Sequence, residues 1–360
     1  MTKKETTPTN QSKKALYTKY RPSKFSDVLG QEHVVSVIKD TIKNGNIAHA
    51  YLFAGSRGTG KTSIARILAA EIGTTDRDLY EIDAASNNGV DEIRELNESV
   101  TTMPYSSKYK VYILDEVHML SKPAFNALLK TLEEPPSHVI FILATTEPEK
   151  IPETVISRCE SYAFKTPNRA ILKKMSIDVA KKEGFELDPA GAELISILGD
   201  GSFRDTHTTL QKLIRSSSDK KLTLEEVERV VEAPKSELIN NFISAMVDGN
   251  LESGLAIIKN VEAGNFDAKF FLKILMERVR VAMFIKIGAK DDLYKDSVAT
   301  EDIKFLKDLV AGEGAKKINS KTLVRLIDTY EQTMHSYLPY LPLEIFLIES
   351  VEKNEGNQKI

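Results

Sequence analysis

An apolar pentapeptide, Ala50 to Ala54, runs directly into Gly55-Ser56-Arg57-Gly58-Thr59-Gly60-Lys61-Thr62, and a helical pattern rich in Ile, Ala and Leu follows from Ser63 to Ile72. This is a complete Gly-x-x-x-x-Gly-Lys-Ser/Thr pattern at a strand-to-helix junction, where backbone N–H groups can curl around an anion. The glycines permit the turn, Lys61 can reach β and γ phosphate oxygens, and the Thr62 hydroxyl can ligate Mg2+. The N-terminus of the following helix adds its dipole. A Gly-rich turn that fitted by accident would lack the strand before it, the helix after it and the acidic strand end further along. The junction therefore demands an α/β fold, with Gly55 to Ser63 as the cradle of a nucleoside triphosphate.

Short apolar segments alternate with helical patterns as far as Phe164, and residues 50–54, 79–83, 110–114, 139–144 and 161–164 read as strands. Apolar runs separated by helices point to a parallel sheet covered on both faces. After Pro167 strand signals fade. Helical patterns cover 170–183, 189–198 and 203–216, punctuated by Gly184, Gly199 and Gly201. Another covers 224–231, with Thr223 as N-cap and Glu226 in the capping-box position. Ala233-Pro234 marks a boundary, beyond which Phe271, Ile274, Leu275, Val279, Ala282 and Met283 keep helical spacing in a unit ending near Val351. The expected layout is a P-loop domain at 15–166, a small helical domain at 167–233 and an all-α domain at 234–352. A disordered tail at 1–14 and a polar tail at 353–360 are expected to flank them.

Composition narrows the function classes. With 41% hydrophobic and 28% charged residues the chain has the make-up of an ordinary soluble protein. No apolar run approaches the ~18–20 residues needed to span a bilayer, and Met1 to Lys14 lacks the apolar centre of a signal peptide, so a cytosolic protein without a membrane partner is expected. Cys159 is the one cysteine, which excludes an intrachain disulfide and a cysteine-rich zinc site. A net charge of −3 argues against a globally basic nucleic-acid binder. It leaves room for a local basic surface, or for DNA phosphates held by helix N-termini.

In Val111 to Glu116 an apolar strand delivers two carboxylates at its C-terminal end, where ligands bind in open α/β sheets. Asp115 is expected to hold Mg2+ through water and Glu116 to polarise the attacking water, which implies hydrolysis rather than binding alone. The strand after them ends in Thr145-Thr146. Thr145, at the strand end, is the preferred sensor of the γ-phosphate, with a strand-end cap as the alternative. Ile151 to Cys159 forms a short helix presenting Arg158, either an arginine supplied to a neighbouring subunit's site or a cation satisfying the helix dipole. Arg204, in Gly201-Ser202-Phe203-Arg204-Asp205, either reaches nucleotide phosphate in its own chain or pairs with Asp205 or Asp200.

Further strings run through the chain: Tyr17-Thr18-Lys19-Tyr20-Arg21-Pro22, Val28-Leu29-Gly30-Gln31-Glu32, Glu81 to Val90, Asp115 to Leu120, Phe125 to Pro136, Ala144 to Pro148 and Ser157-Arg158-Cys159. Together with the phosphate loop they cover residues 15 to about 215 densely, and by them the chain resembles the gamma/tau subunits of the bacterial DNA polymerase III clamp loader, which are AAA+ proteins. The resemblance implies an AAA+ P-loop domain followed by a helical lid and an all-α collar, with ATP and Mg2+ as cofactors. It implies a subunit of a pentameric ring of clamp-loader subunits that uses ATP hydrolysis to open a sliding clamp and load it onto primer-template DNA during replication. Arg158 then acts in trans as an arginine finger and Arg204 as a second sensor, while Tyr20, Arg21, Val28 and Gly30 lie near the adenine. Ser86, Asn87, Asn88 and Gly89 open a helix placed to meet DNA phosphate. Arg94 either adds charge there or belongs to a solvated helix face. The implied location is the bacterial cytoplasm, in association with the nucleoid.

One departure stands out. The family usually carries a four-cysteine zinc module where Gly73 to Asp78 here makes a direct connection without cysteine, so no zinc is expected. His207, in the lid helix, is assigned no role. No arrangement resembles a polymerase active site, and the chain's own chemistry should be ATP hydrolysis. Two alternatives stand beside this reading: a non-hydrolysing scaffold of the same assembly, and another DNA-remodelling AAA+ motor such as a branch-migration ATPase. Against the last, the third unit shows no winged-helix hairpin signal.

Overall fold

The computed structural model describes residues 14–294, 298 and 300–352, so the expectations for residues 1–13 and 353–360 lie outside the described residues. Two compact units emerge. The chain up to Ile171 together with Gly201–Asp205 forms one, and Leu172–Asp200 with the chain from Thr206 onward forms the other.

The first unit is built on five strands: β1 Ala50–Ala54, β2 Leu79–Asp83, β3 Lys110–Asp115, β4 Val139–Thr145 and β5 Glu160–Ala163. They form one sheet in the order β2-β3-β4-β1-β5, every pair parallel. Strand side chains alternate between faces, and here both faces are apolar. Tyr51, Phe53, Val111, Ile113, Ile140 and Ile142 pack with Val34 and Ile38 of helix Glu32–Lys43 and with Ile64, Ile67 and Leu68 of helix Lys61–Glu71. On the opposite face Leu52, Tyr112, Leu114, Phe141 and Leu143 pack with Ile93 and Leu96 of helix Val90–Ser99 and with Phe125, Leu128 and Leu132 of helix Lys122–Glu133. Cover on both sides is why β1, β3 and β4 read as unbroken apolar runs. The edge strands β2 and β5 are largely exposed and carry Glu81, Asp83 and Glu160. Compared with the sequence expectation, β5 begins one residue earlier and the helix after the loop starts at Lys61 instead of Ser63, because Gly60 serves as its N-cap.

After β5 helices occupy Arg169–Lys182, Pro189–Leu198, Phe203–Ser216 and Leu224–Val230, within a residue of the expected ranges. The reciprocal capping box of Thr223 and Glu226 forms as anticipated. A parallel pair, β6 Glu186–Leu187 with β7 Lys221–Leu222, was not expected, since two residues per strand leave no periodicity to read. Helices Ser236–Asp248, Leu251–Ala263, Ala268–Lys286, Thr300–Ala311, Ser320–His335 and Leu341–Glu352 complete the unit. Its core gathers Phe242, Phe271, Leu275, Val279, Leu326 and Leu347. Among the described residues no helix is long and apolar enough to cross a membrane.

Candidate nucleotide site

The phosphate loop leaves the C-terminal end of β1 and is held from beneath by close backbone approach. A Cβ at Gly55 would lie 2.6 Å from the Phe164 carbonyl oxygen, and one at Gly58, where φ is +74°, would lie 2.1 Å from Ser202 Oγ. Only glycine fits these two positions. Lys61, 5% exposed, folds its ammonium into the loop and donates to the carbonyls of Gly55 (2.7 Å) and Ser56 (3.0 Å). Burial pushes the Lys61 ammonium down from the usual lysine range, while the carboxylates of Glu116 and Asp115 act in the opposite sense. Thr59 Oγ1 donates to the Ser56 carbonyl at 2.9 Å. Ser56 and Arg57 are exposed at the loop tip and Ser63 is half-buried on the following helix.

Strand order brings the acids to this loop. β4 lies between β1 and β3, so its last residues stand between the loop and the end of β3. Thr145 is paired with Ala54 in the sheet register, and its carbonyl accepts from Gly55 N at 3.1 Å. Thr62 Oγ1 donates to Asp115 Oδ2 at 2.8 Å, joining loop and acid strand directly. Glu116 follows with a left-handed backbone, φ 50° and ψ 44°, an uncommon state for a residue with a side chain. Thr146 Oγ1 donates to Glu116 Oε2 at 3.0 Å. Thr145, by contrast, is fully buried, and its hydroxyl accepts from Glu147 N at 3.0 Å and lies 3.1 Å from His118 Nδ1. Of the two threonines it is thus Thr146 that touches the acid. A glycine cradle, a cation inside it, and a hydroxyl and carboxylate in mutual contact fit a triphosphate with Mg2+: loop amides and Lys61 for the phosphates, Thr62 and Asp115 for the ion.

Arg204 lies beside the loop, while Arg21, Tyr20, Val28 and Gly30 have local surroundings of their own. Phe203 N donates to the Gly58 carbonyl at 3.0 Å, and the neighbouring Arg204 guanidinium stacks over the Tyr17 ring, 5.3 Å from its centroid. Of the two acids weighed as partners for Arg204, Asp200 pairs with Lys273 at 2.8 Å. The Arg21 guanidinium is pushed down by burial, by Arg66 and by Arg204, with Glu81 opposing. Tyr20 has Lys19 Nζ 5.5 Å from its ring centroid, and Val28 packs at the margin of the core that includes Phe25 and Val34. Gly30 N donates to Glu32 Oε1 at 3.0 Å.

Two expected groups lie elsewhere. Arg158 binds Glu133 Oε1 at 2.5 Å and the Thr154 carbonyl at 2.6 Å. It lines a surface cavity of about 710 Å³ with Ala48, His49 and Ala50, at the N-terminal end of β1. The loop leaves the other end of that five-residue strand, roughly 15 Å away at the usual rise per residue. Arg158 therefore does not serve the loop of its own chain. Beside it, burial pushes the Cys159 thiol up to about 12, so it stays protonated and unreactive near neutrality. In the turn after β2, Ser86 N and Asn87 N donate to the Asp83 carbonyl, and Asn88 O accepts from Ser121 N at 3.0 Å. Gly89 caps helix Val90–Ser99, whose first turn carries Asp91 and Glu92. Arg94 is exposed and paired with Asp91 at 2.8 Å.

Two residues without an assigned role belong to the site. Gln31, buried, ties the loop to the segment just after β5: its amide donates to the Lys165 carbonyl (2.6 Å) and the Thr59 carbonyl (3.4 Å) and accepts from Lys165 N (3.1 Å). His118, with 5% of its side chain exposed, contacts Thr145, Glu116 and Glu147. A histidine two positions after the acid pair was the available signal. Only the fold supplies its partners.

Comparison with known proteins agrees with this geometry. A family profile described as "DNA polymerase III, delta subunit" matches residues 30–88 and 74–168. The chain is 37% identical over 341 residues to DNA polymerase III subunit tau of Bacillus subtilis, covering 88% of this chain and 59% of that protein. It is 38% identical over 297 residues to subunit gamma/tau of Mycoplasma pneumoniae, covering 77% and 44%, and 37% identical over 294 residues to subunit tau of Escherichia coli, covering 76% and 46%. The chain thus spans about half the length of the curated relatives it matches. Among solved structures, the Thermotoga maritima RuvB Holliday junction branch migration motor aligns with a TM-score of 0.50 at 19% identity, over 63% of this chain and 79% of that one. At that identity the likeness carries the AAA+ fold alone. Identity near 37% over most of the chain carries more, and places it in the gamma/tau family of DNA polymerase III subunits.

Proposed function

We propose that this chain binds ATP with Mg2+ and hydrolyses it as one subunit of a DNA polymerase III clamp loader, a ring of five subunits that opens a sliding clamp and loads it onto primer-template DNA. The observation that carries the reading is the 2.8 Å contact between Thr62 Oγ1 and Asp115 Oδ2, which joins a complete phosphate loop to a strand end bearing a second acid. In this reading the loop amides and Lys61 hold the phosphates, and Thr62 with Asp115 orients the ion. Glu116 takes the proton side of the attacking water, steadied by Thr146; Arg204 reports the state of the phosphates, and Thr145, buried with its hydroxyl engaged by Glu147 N and His118, acts through those neighbours. Mg2+ held by Thr62 and Asp115 would supply charge neutralisation to the triphosphate. Tyr20, Arg21, Val28 and Gly30 border the base. We assign residues 167–233 to a lid and 234–352 to a collar. The turn at Ser86 to Gly89 and Arg94 would approach DNA phosphate, against the local charge of Asp91 and Glu92. Location in the bacterial cytoplasm, by the nucleoid, follows from the same reading.

Arg158 is supported as a group acting in trans by its place at the end of β1 remote from its own loop, paired for now with Glu133. The test mixes subunits. In the assembly with clamp and primed DNA, chains carrying Arg158→Ala and chains carrying Glu116→Gln should each lower ATP hydrolysis about a hundredfold or more alone. Mixed, they should recover activity at interfaces that join an intact acid to an intact arginine. No recovery on mixing would refute the shared site, and full activity of Glu116→Gln would favour the scaffold reading.

A further inference from the structure

We propose that His118 is a positioning residue for hydrolysis: it closes a ring of hydrogen bonds that fixes the Thr145 hydroxyl and backs the Glu116 carboxylate without neutralising it. The proposal rests on the hydrolysis reading above. Its basis is a set of contacts that runs in one direction. Glu147 N donates to Thr145 Oγ1 at 3.0 Å. Glu147 Oε1, 3.1 Å from His118 Nε2, can only accept, so the neutral ring keeps its one proton on Nε2 and Nδ1, 3.1 Å from Thr145 Oγ1, accepts from the hydroxyl. The other oxygen of Glu147 is held by Lys150 Nζ at 2.7 Å, which anchors the ring at the surface. Backbone amide, hydroxyl, imidazole and carboxylate thus form a closed circuit in which every proton has one place.

Glu116 lies against this circuit. Its Oε2 is 3.5 Å from His118 Nδ1 and receives the Thr146 hydroxyl at 3.0 Å. The left-handed backbone of Glu116 turns the chain into the short 3-10 segment Val117–Met119, which brings the imidazole back beside the acid. An Nδ1 that carries a lone pair offers no proton to Glu116. Thr146 holds the carboxylate, and with no proton on the facing nitrogen it remains able to accept one from water. A protonated imidazole at the same place would weaken it as a base. His118 acts through Thr145 and Glu116 and touches no reacting atom.

The test uses the full chain assembled with its partner subunits, with kcat for ATP hydrolysis and the affinity for ATP with magnesium measured separately. His118→Ala should lower kcat about ten- to a hundredfold, the cost of a loosened catalytic group, while ATP affinity stays as in the unaltered chain. His118→Asn, whose amide oxygen can take the place of Nδ1 and accept from Thr145, should recover most of that loss. It also answers the question should the alanine variant not fold. An unchanged kcat in His118→Ala overturns the inference, as does a loss shared equally by the Asn variant or matched by a fall in ATP affinity or melting temperature. An unaltered assembly that binds ATP without hydrolysing it defeats the hydrolysis reading and this inference with it. Hydrolysis by the unaltered assembly alongside an indifferent His118→Ala defeats this inference alone.

Discussion

Two buried cations, Lys61 in the sheet unit and Arg278 in the helical unit, show two ways of keeping charge away from water. Arg278, 3% exposed, donates to Asp302 Oδ2 (2.8 Å), Asn240 Oδ1 (2.6 Å), and the Ser236 carbonyl (2.7 Å) and hydroxyl (2.8 Å). Asn240 also donates to the other Asp302 oxygen at 3.1 Å, so the terminal nitrogens of the cation and both oxygens of the anion are paired locally. Lys61 has two carbonyl oxygens as partners and, among the described residues, no carboxylate within ion-pair distance. Its nearest acids, Asp115 and Glu116, are engaged with Thr62 and Thr146. A buried charge neutralised in place fixes packing, whereas one left with dipoles alone keeps its field for an incoming anion.

Substitution at each cation tests that difference. Lys61→Ala should reduce ATP hydrolysis by about a hundredfold or more through lost stabilisation of phosphate charge, while the unfolding transition stays in place or rises, because a desolvated charge is removed. A large loss of stability would make Lys61 a structural pin like Arg278. Arg278→Ala should cost about 3–5 kcal/mol in denaturant unfolding of the helical unit, since Asp302 is left buried without its partner. A cost near zero would show that water relieves Asp302 and that the pair does not hold the helices.

Asp78 sharpens the contrast with a buried anion in the sheet unit. Burial would raise its pKa, but the amides of Ser106 and Tyr105, with the hydroxyl and amide of Ser107, outweigh that and hold the carboxyl well below the usual carboxylate range. The bonds run at 2.9 Å from Ser106 N, 2.5 Å from Tyr105 N and 2.8 Å from Ser107 N, and they bind the connection at Gly73 to Asp78 to the loop before β3. A folded pKa below the unfolded value of about 3.9 gives stability that is complete above that pH and is lost as pH falls through the folded value. Asp78→Asn should therefore cost about 2 kcal/mol at neutral pH, with the gap to the unaltered chain closing below about pH 4. A gap that does not depend on pH would assign the effect to shape instead of charge.

Much of the fold was readable beforehand. The strands at 50–54 and 79–83 appear at their expected bounds, and those at 110 and 139 run one residue longer. Doubly covered parallel strands write themselves as apolar runs, and the loop carries its own glycines. The capping box at Thr223 and Glu226 is a pair three residues apart, visible without a fold. Other features depended on partners distant in sequence. His118 meets Thr145 across 27 positions, and Gln31 meets Lys165 across 134. Thr145 was singled out by its place at a strand end, but which of two adjacent threonines faces Glu116 depends on side-chain direction at the end of β4.

The sequence by itself determined the phosphate loop, the acid pair, the parallel α/β unit and the helical remainder, because each is encoded in spacings of a few residues acting through local sterics and burial. Tertiary structure alone decided that β4 enters between β1 and β3, which sets Thr62 against Asp115 and closes the ring through His118. It also decided that Arg158 stands at the far end of β1 from its own loop. Strand order is chosen by how crossover helices pack over the whole sheet, and that choice leaves no mark in any short stretch of residues.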